Sequence, residues 1–211
     1  MIVLGLTGSV GMGKSTAAAM FRRLGVPVHD SDAAVHRLLA RHGAAVQAVA
    51  AEFPGVLRPE GGIDRAALGA RVFGDAAALK RLERILHPLV RRSQQRFLAA
   101  ARAARRPLVV LDIPLLYETG GERRCDAVIV VSAPPFLQRA RVMARPGMTE
   151  ARFRAVLAKQ MPDAEKRRRA DYVLSSGLGR AVTFRRLKRL VAALRCPRHS
   201  GACGRSPAEA D

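Results

Sequence analysis

Gly8, Gly13, Lys14 and Ser15 stand in the spacing G-x-x-x-x-G-K-S, within "GSVGMGKS". Glycines so placed let a backbone curl until successive N–H groups converge, where side chains would obstruct an anion. A lysine and a hydroxyl directly after the last glycine supply a cation for β- and γ-phosphates and a ligand for Mg²⁺. The helix expected to start near Lys14 aims its positive dipole end at the same place. The residue types therefore point to a nucleoside-triphosphate cradle. Gly8, Gly11, Met12, Gly13, Lys14, Ser15 and Thr16 form the expected binding set, with Thr16 at the α-phosphate.

A phosphoryl group needs an acceptor and a base. "HDSD", His29 to Asp32, places two acids at i and i+2. At the carboxyl end of a parallel strand they would lie in the ligand crevice of an α/β sheet. Asp32 then has two readings: a base for an attacking hydroxyl, or the N-cap of a helix starting near Ala33. Asp112, at the end of "LVVLD", is either a Walker-B-like acid supporting the metal through Ser15's side of the site or a strand-end turn residue. Arg139, Arg141 and Arg145 could stabilise charge on the transferring phosphoryl group. The last two open a stretch, 141–169, with nine Lys/Arg against three Asp/Glu, and most of these charges must be solvated helix face.

Positioning these groups requires particular elements. "IVLGL" before the loop is a short apolar run, and Thr16 to Leu24 repeats apolar residues at helical spacing up to Gly25. "VPVHD" reads as a second strand, completing a βαβ opening. Helical periodicity fills 33–105, with Asp64 and Asp75 as caps and a break or restart at Pro88. "LVVLDIPLL" and "AVIVVSA" are apolar on both faces, as buried parallel strands require. "DYVL" is a last strand and a basic helix over about 180–195 follows. The expected organisation is an α/β core (1–31, 107–140 and 170–195), a helical insertion (32–106) and a basic lid (141–169). The tail 196–211 lacks apolar period and is expected to be disordered. Cys196, His199 and Cys203 in that tail do not make a zinc site.

Composition constrains partners. The 211 residues carry 37 basic and 17 acidic side chains, a net +20. That invites nucleic acid, but the excess is mostly arginine in an alanine-rich chain, and no tryptophan and two tyrosines offer little for base stacking. No apolar stretch approaches the ~20 residues of a membrane helix, no secretion signal precedes "MIVLGL", and three scattered cysteines fit a reducing compartment. A cytoplasmic protein without nucleic-acid or membrane partner is expected, as a monomer or weak homo-oligomer.

Taken together, "GLTGSVGMGKST", "VPVHDSDAAVHRLL", "LERILHPLV", "VVLDIPLLYETG" and "CDAVIVVSAPPFLQRARVMAR" resemble the dephospho-coenzyme A kinases, over about residues 2–191. The resemblance implies a P-loop NTPase three-layer fold with a helical acceptor domain and a helical lid. It implies transfer of the ATP γ-phosphoryl group to the ribose 3′-hydroxyl of dephospho-CoA, with Mg²⁺. Asp32 falls on the family's general base, with Asp30 as its neighbour or a support for the metal. Arg65 and His87 fall on acceptor-holding positions, although His87 beside Pro88 could equally cap a helix junction. Arg141 and Arg145 match lid arginines, and Gln160 and Lys166 match positions of less defined role. Two departures stand out. Ser31 replaces the usual alanine of D-x-D, and Ser175-Ser176-Gly177 replaces an asparagine near the adenine pocket.

Overall fold

The computed structural model describes residues 1–195. The expectations for the tail, including Cys196, His199 and Cys203, lie outside them. The chain runs β1 (Ile2–Thr7), α1 (Lys14–Arg23), β2 (Val28–Asp30), α2 (Ser31–Leu39), α3 (Val46–Glu52), α4 (Arg65–Val72) and α5 (Ala76–Ala103). It continues β3 (Leu108–Asp112), β4 (Ala127–Ser132), α6 (Pro135–Met143), α7 (Glu150–Ala158), α8 (Asp163–Arg169), β5 (Tyr172–Ser175) and α9 (Arg180–Arg195). All strand pairs are parallel, in the order β2-β3-β1-β4-β5.

The apolar strands are explained by their two covered faces. Leu4, Leu6, Leu108, Val110, Ile129 and Val131 pack with Ala17 and Phe21 of α1 and Leu187 of α9. The alternate residues Val3, Val109, Leu111, Val128 and Val130 pack with Phe97 and Ala101 of α5. Side chains alternate along a strand, so a sheet sandwiched between two helical layers needs both parities apolar. The carboxyl ends of β1, β2 and β3 meet at one rim, where register sets Leu6 beside Asp112 and Asp30 beside Asp112.

The insertion has its own core of Leu39, Val49, Phe53, Ile63, Leu68, Leu82 and Leu86. Its helices start where the carboxylates predict: Asp64 accepts from the N–H groups of Ala66 and Ala67, and Asp75 from those of Ala77 and Ala78. Pro88 departs from expectation, since α5 runs through it without a break. Proline removes the bond to the carbonyl of Arg84. Both residues are exposed, so solvent can serve that carbonyl, while Leu82 and Leu86 hold the helix on the insertion core. Helix α6 spans position 140/141, running from Pro135 to Met143.

Candidate active site

The loop leaves β1 at Gly8 and enters α1 at Lys14. Gly11 and Gly13 have φ of 78° and 90°, a region costly for side chains. A Cβ on Gly11 would sit 2.6 Å from Val142 Cγ2 and 2.8 Å from the Gln138 carbonyl oxygen. Dihedral and close approach of α6 both demand glycine there. Gly8, Gly11, Gly13, Lys14, Ser15 and Thr16 line a cavity of about 640 Å³. Arg141, Arg145 and Asp32 stand on its other walls. Met12, expected among the binding residues, is not on the wall. Its side chain is buried, its sulfur accepts the Ala133 N–H, and its own N–H donates to the Ser9 carbonyl.

Strand parity explains the nearest charge pair. Asp112 follows Leu108 and Val110 on the face that carries α1, and Lys14 begins α1. Lys14 Nζ lies 2.6 Å from Asp112 Oδ1. Burial raises the Asp112 carboxyl above its ordinary value, against the pull of Lys14, and the charges of Asp30 and Asp32 push the same way as burial. Three carboxylates and a lysine thus share one rim. Asp112 itself is not on the cavity wall, in contrast to Ser15.

The cap falls on Asp30, not Asp32. Asp30 Oδ1 accepts from Ala33 N–H at 2.9 Å, and α2 begins at Ser31. Asp32 lies one residue into the helix with an exposed side chain. It borders a second cavity, about 210 Å³, whose wall on α5 carries His87, Arg91 and Gln94. Asp32 and Pro114 are common to both cavities. His87 is mid-helix, so the junction-cap reading fails. Arg65 opens α4, is exposed, and borders neither cavity. The Ser31 hydroxyl, absent where alanine stands, accepts from the buried Gln94 amide at 3.2 Å and ties the D-x-D segment to α5.

Arg141 is held rather than free. Its guanidinium donates to the Ser176 hydroxyl and carbonyl, each at 2.9 Å, and the Ser176 hydroxyl donates to Met12 O at 2.7 Å. Ser176 therefore joins α6 to the glycine loop. Gln138 donates to Val10 O at 2.8 Å and Gln160 accepts from Val10 N–H at 3.1 Å, so each of the two peptides flanking Val10 is held by a side-chain amide. Arg139 is spent elsewhere, with Nε and Nη2 on Glu150 at 3.0 and 2.9 Å, away from the cavity wall. Lys166 is fully buried and is not on that wall either.

A family model described as dephospho-CoA kinase matches residues 2–179. The chain belongs to the dephospho-CoA kinase family. A dephospho-CoA kinase of Paramagnetospirillum magneticum is 67% identical over 97% of this chain and 96% of its own. Among solved structures, the Thermus thermophilus protein TT1252 superposes with a TM-score of 0.81 at 38% identity, covering 91% of this chain and 96% of that one. Dephospho-CoA kinase from Campylobacter jejuni has a TM-score of 0.63 at 24% identity, with 91% and 96% covered, a likeness of fold. The P-loop kinase architecture, with its parallel sheet between helical layers, is thus that of the family.

Several residues of this family member's site escaped the sequence reading. Glu83, Arg91 and Gln94 recur with the expected His87 at helical spacing on α5 and border the second cavity together. That periodicity was available once α5 was taken as unbroken. The Ser176 and Gln138 contacts join residues more than a hundred positions apart and leave no local signal.

Proposed function

We propose that this chain transfers the γ-phosphoryl group of ATP to the ribose 3′-hydroxyl of dephospho-CoA, giving CoA and ADP. The observation that carries the reading is the position of Asp32, on the shared wall of a phosphate-type cavity and a second cavity. ATP takes the glycine-loop cavity and the acceptor takes the second. The Asp32 carboxylate accepts the hydroxyl proton as the new O–P bond forms and the bond to ADP breaks. Lys14, Arg141 and Arg145 stabilise the charge spread over the phosphoryl oxygens. His87 and Arg91 hold the acceptor from α5. Residues 1–31, 107–140 and 170–195 serve the nucleotide, 32–106 the acceptor, and 141–169 form the lid.

The donor set suits Mg²⁺. Among the described residues no cluster of three or more His, Cys, Asp or Glu could cage an ion. The Ser15 hydroxyl, with Asp112 and Asp32 nearby, fits an ion that completes its shell with phosphate oxygens and water. When bound, Mg²⁺ neutralises β- and γ-phosphate charge and orients the transferring group. The partners in this reading are small molecules only, acting on a monomer or weak homo-oligomer of the cytoplasm. Among the described residues no helix is long and apolar enough to cross a membrane.

A panel of acceptors in an ADP-release assay tests the substrate. Dephospho-CoA should support turnover, and nucleoside monophosphates and sugar acids should not. Turnover with a nucleoside monophosphate and none with dephospho-CoA overturns the reading.

A further inference from the structure

The loop after β3 and the turn between α7 and α8 meet at Glu118. Glu118 Oε1 accepts the Met161 N–H at 2.8 Å and lies 2.8 Å from Lys166 Nζ. Lys166 is wholly buried, and the Glu118 side chain is only 17% exposed. Burial pushes the Glu118 carboxyl up, but its bonds to Lys166 and to the Met161 N–H outweigh that and hold it below its ordinary value. The carboxylate is thus ionised and fixed from two sides. The residue before Met161 is Gln160, whose amide oxygen takes the Val10 N–H. Val10 lies between Gly8 and Gly11 on the same cavity wall as Gln160.

We infer that Glu118 is a positioning residue for the nucleotide site, acting through Gln160. It touches neither cavity's described wall at the glycine loop. Its two bonds set the height of the α7–α8 turn, and that height decides whether Gln160 reaches Val10. A side-chain amide that accepts the Val10 N–H, together with Gln138 on the Val10 carbonyl, fixes the tilt of the two peptides flanking Val10 and so the curl of the loop. The end of β3 and the loop after it then serve the cradle twice, through Asp112 on Lys14 and through Glu118 on Met161, next to Gln160. The inference rests on the proposed placement of ATP in this cavity.

The test separates positioning from general support. Glu118→Ala alone would strand the buried Lys166 cation, so both Glu118 variants are made in a Lys166→Met background. Steady-state constants are measured for ATP and dephospho-CoA. Glu118→Ala should raise the KM for ATP by about three- to tenfold, the worth of one hydrogen bond, and leave the KM for dephospho-CoA unchanged. Glu118→Gln, which keeps an acceptor for the Met161 N–H, should restore the ATP value. Gln160→Ala should match Glu118→Ala, and combining the two should add nothing further. Multiplying effects, equal changes in both KM values, or no change with either variant overturns the inference. Lys14→Ala is run in parallel with direct ATP binding as readout. Undiminished ATP affinity there would refute the placement of ATP itself, a result distinct from any of these.

Discussion

Asp30 and Asp32 can be told apart by what each costs when removed. Asp30→Ala deletes the acceptor for the Ala33 N–H, a 2.9 Å bond at the start of α2. Losing such a cap costs about 1 kcal/mol, a drop of roughly 2–4 °C in Tm for a chain of this size. The ion pair of Asp30 with Arg22, 3.9 Å long and exposed on both sides, adds little. Asp32→Asn keeps size and shape and removes one first-turn charge from an exposed side chain, worth about 0.3–1 kcal/mol to the helix. Its main cost belongs to the transfer step. Loss of a general base slows the reaction by ~10²–10⁴, or about 2.7–5.4 kcal/mol in activation free energy. Melting without ligands and ADP release at saturating ATP and dephospho-CoA, on the same preparations, give both quantities. Asp32→Asn should melt within a few degrees of the parent and lose most turnover, and Asp30→Ala should keep the larger share of its rate. An Asp32→Asn protein that turns over at the parent rate, or is slowed no more than Asp30→Ala, refutes the assignment of the base.

Other outcomes follow from the same geometry. Ser176→Ala leaves Arg141 its bond to the Ser176 carbonyl but removes the hydroxyl that also reaches Met12 O. The KM for ATP should rise about three- to tenfold, and an unchanged value would show that this tie does not shape the loop. Chelation of divalent cations should abolish ADP release, and Ser15→Ala should raise the Mg²⁺ concentration giving half-maximal rate; identical Mg²⁺ curves would remove Ser15 from the metal's shell. Burial, aided by the charge of Arg37, holds the His29 imidazole below its ordinary 6.5. Below that pH the unfolded chain takes up a proton that the folded chain refuses, so stability is full above 6.5 and falls as pH drops toward the lowered folded value. Melting curves between about pH 7.5 and 5 should show the decline. His29→Gln, which can keep the bond to Ser93 Oγ, should flatten it; an equal slope in both proteins would assign the loss to other groups.

The parts of the fold that depend on local pattern were open to reading from residues alone. The glycine loop declares itself because its dihedrals admit little else, as Gly11 and Gly13 demonstrate. The buried strands declare themselves because both faces must be apolar. The caps at Asp64 and Asp75 are visible because a carboxylate satisfies N–H groups two and three residues ahead. Pro88 misled because the local cost of one lost bond was weighed without the contacts of Leu82 and Leu86, which tertiary structure supplies. The cap of α2 was misplaced by a similar step. Two aspartates flank Ser31, and local chemistry permits either to begin a helix. The choice depends on where β2 must end, which its pairing with β3 decides at Asp30 and Asp112.

That pairing also explains why the site's charges converge. A parallel strand presents every second residue to the same helical layer, so an acid two positions beyond Val110 must face the layer that holds α1. Register puts this acid beside Leu6, two residues short of the first loop glycine, and the loop returns the chain to begin α1 with Lys14. The 2.6 Å contact is then a consequence of parity and loop length together. Moving Asp112 by one position along β3 would turn its carboxylate toward α5 and the second core, away from Lys14. Asp32 escapes this constraint because it lies on a helix, where direction changes by about 100° per residue rather than by half a turn. Two steps past the cap, its carboxylate stands on the wall between the two cavities.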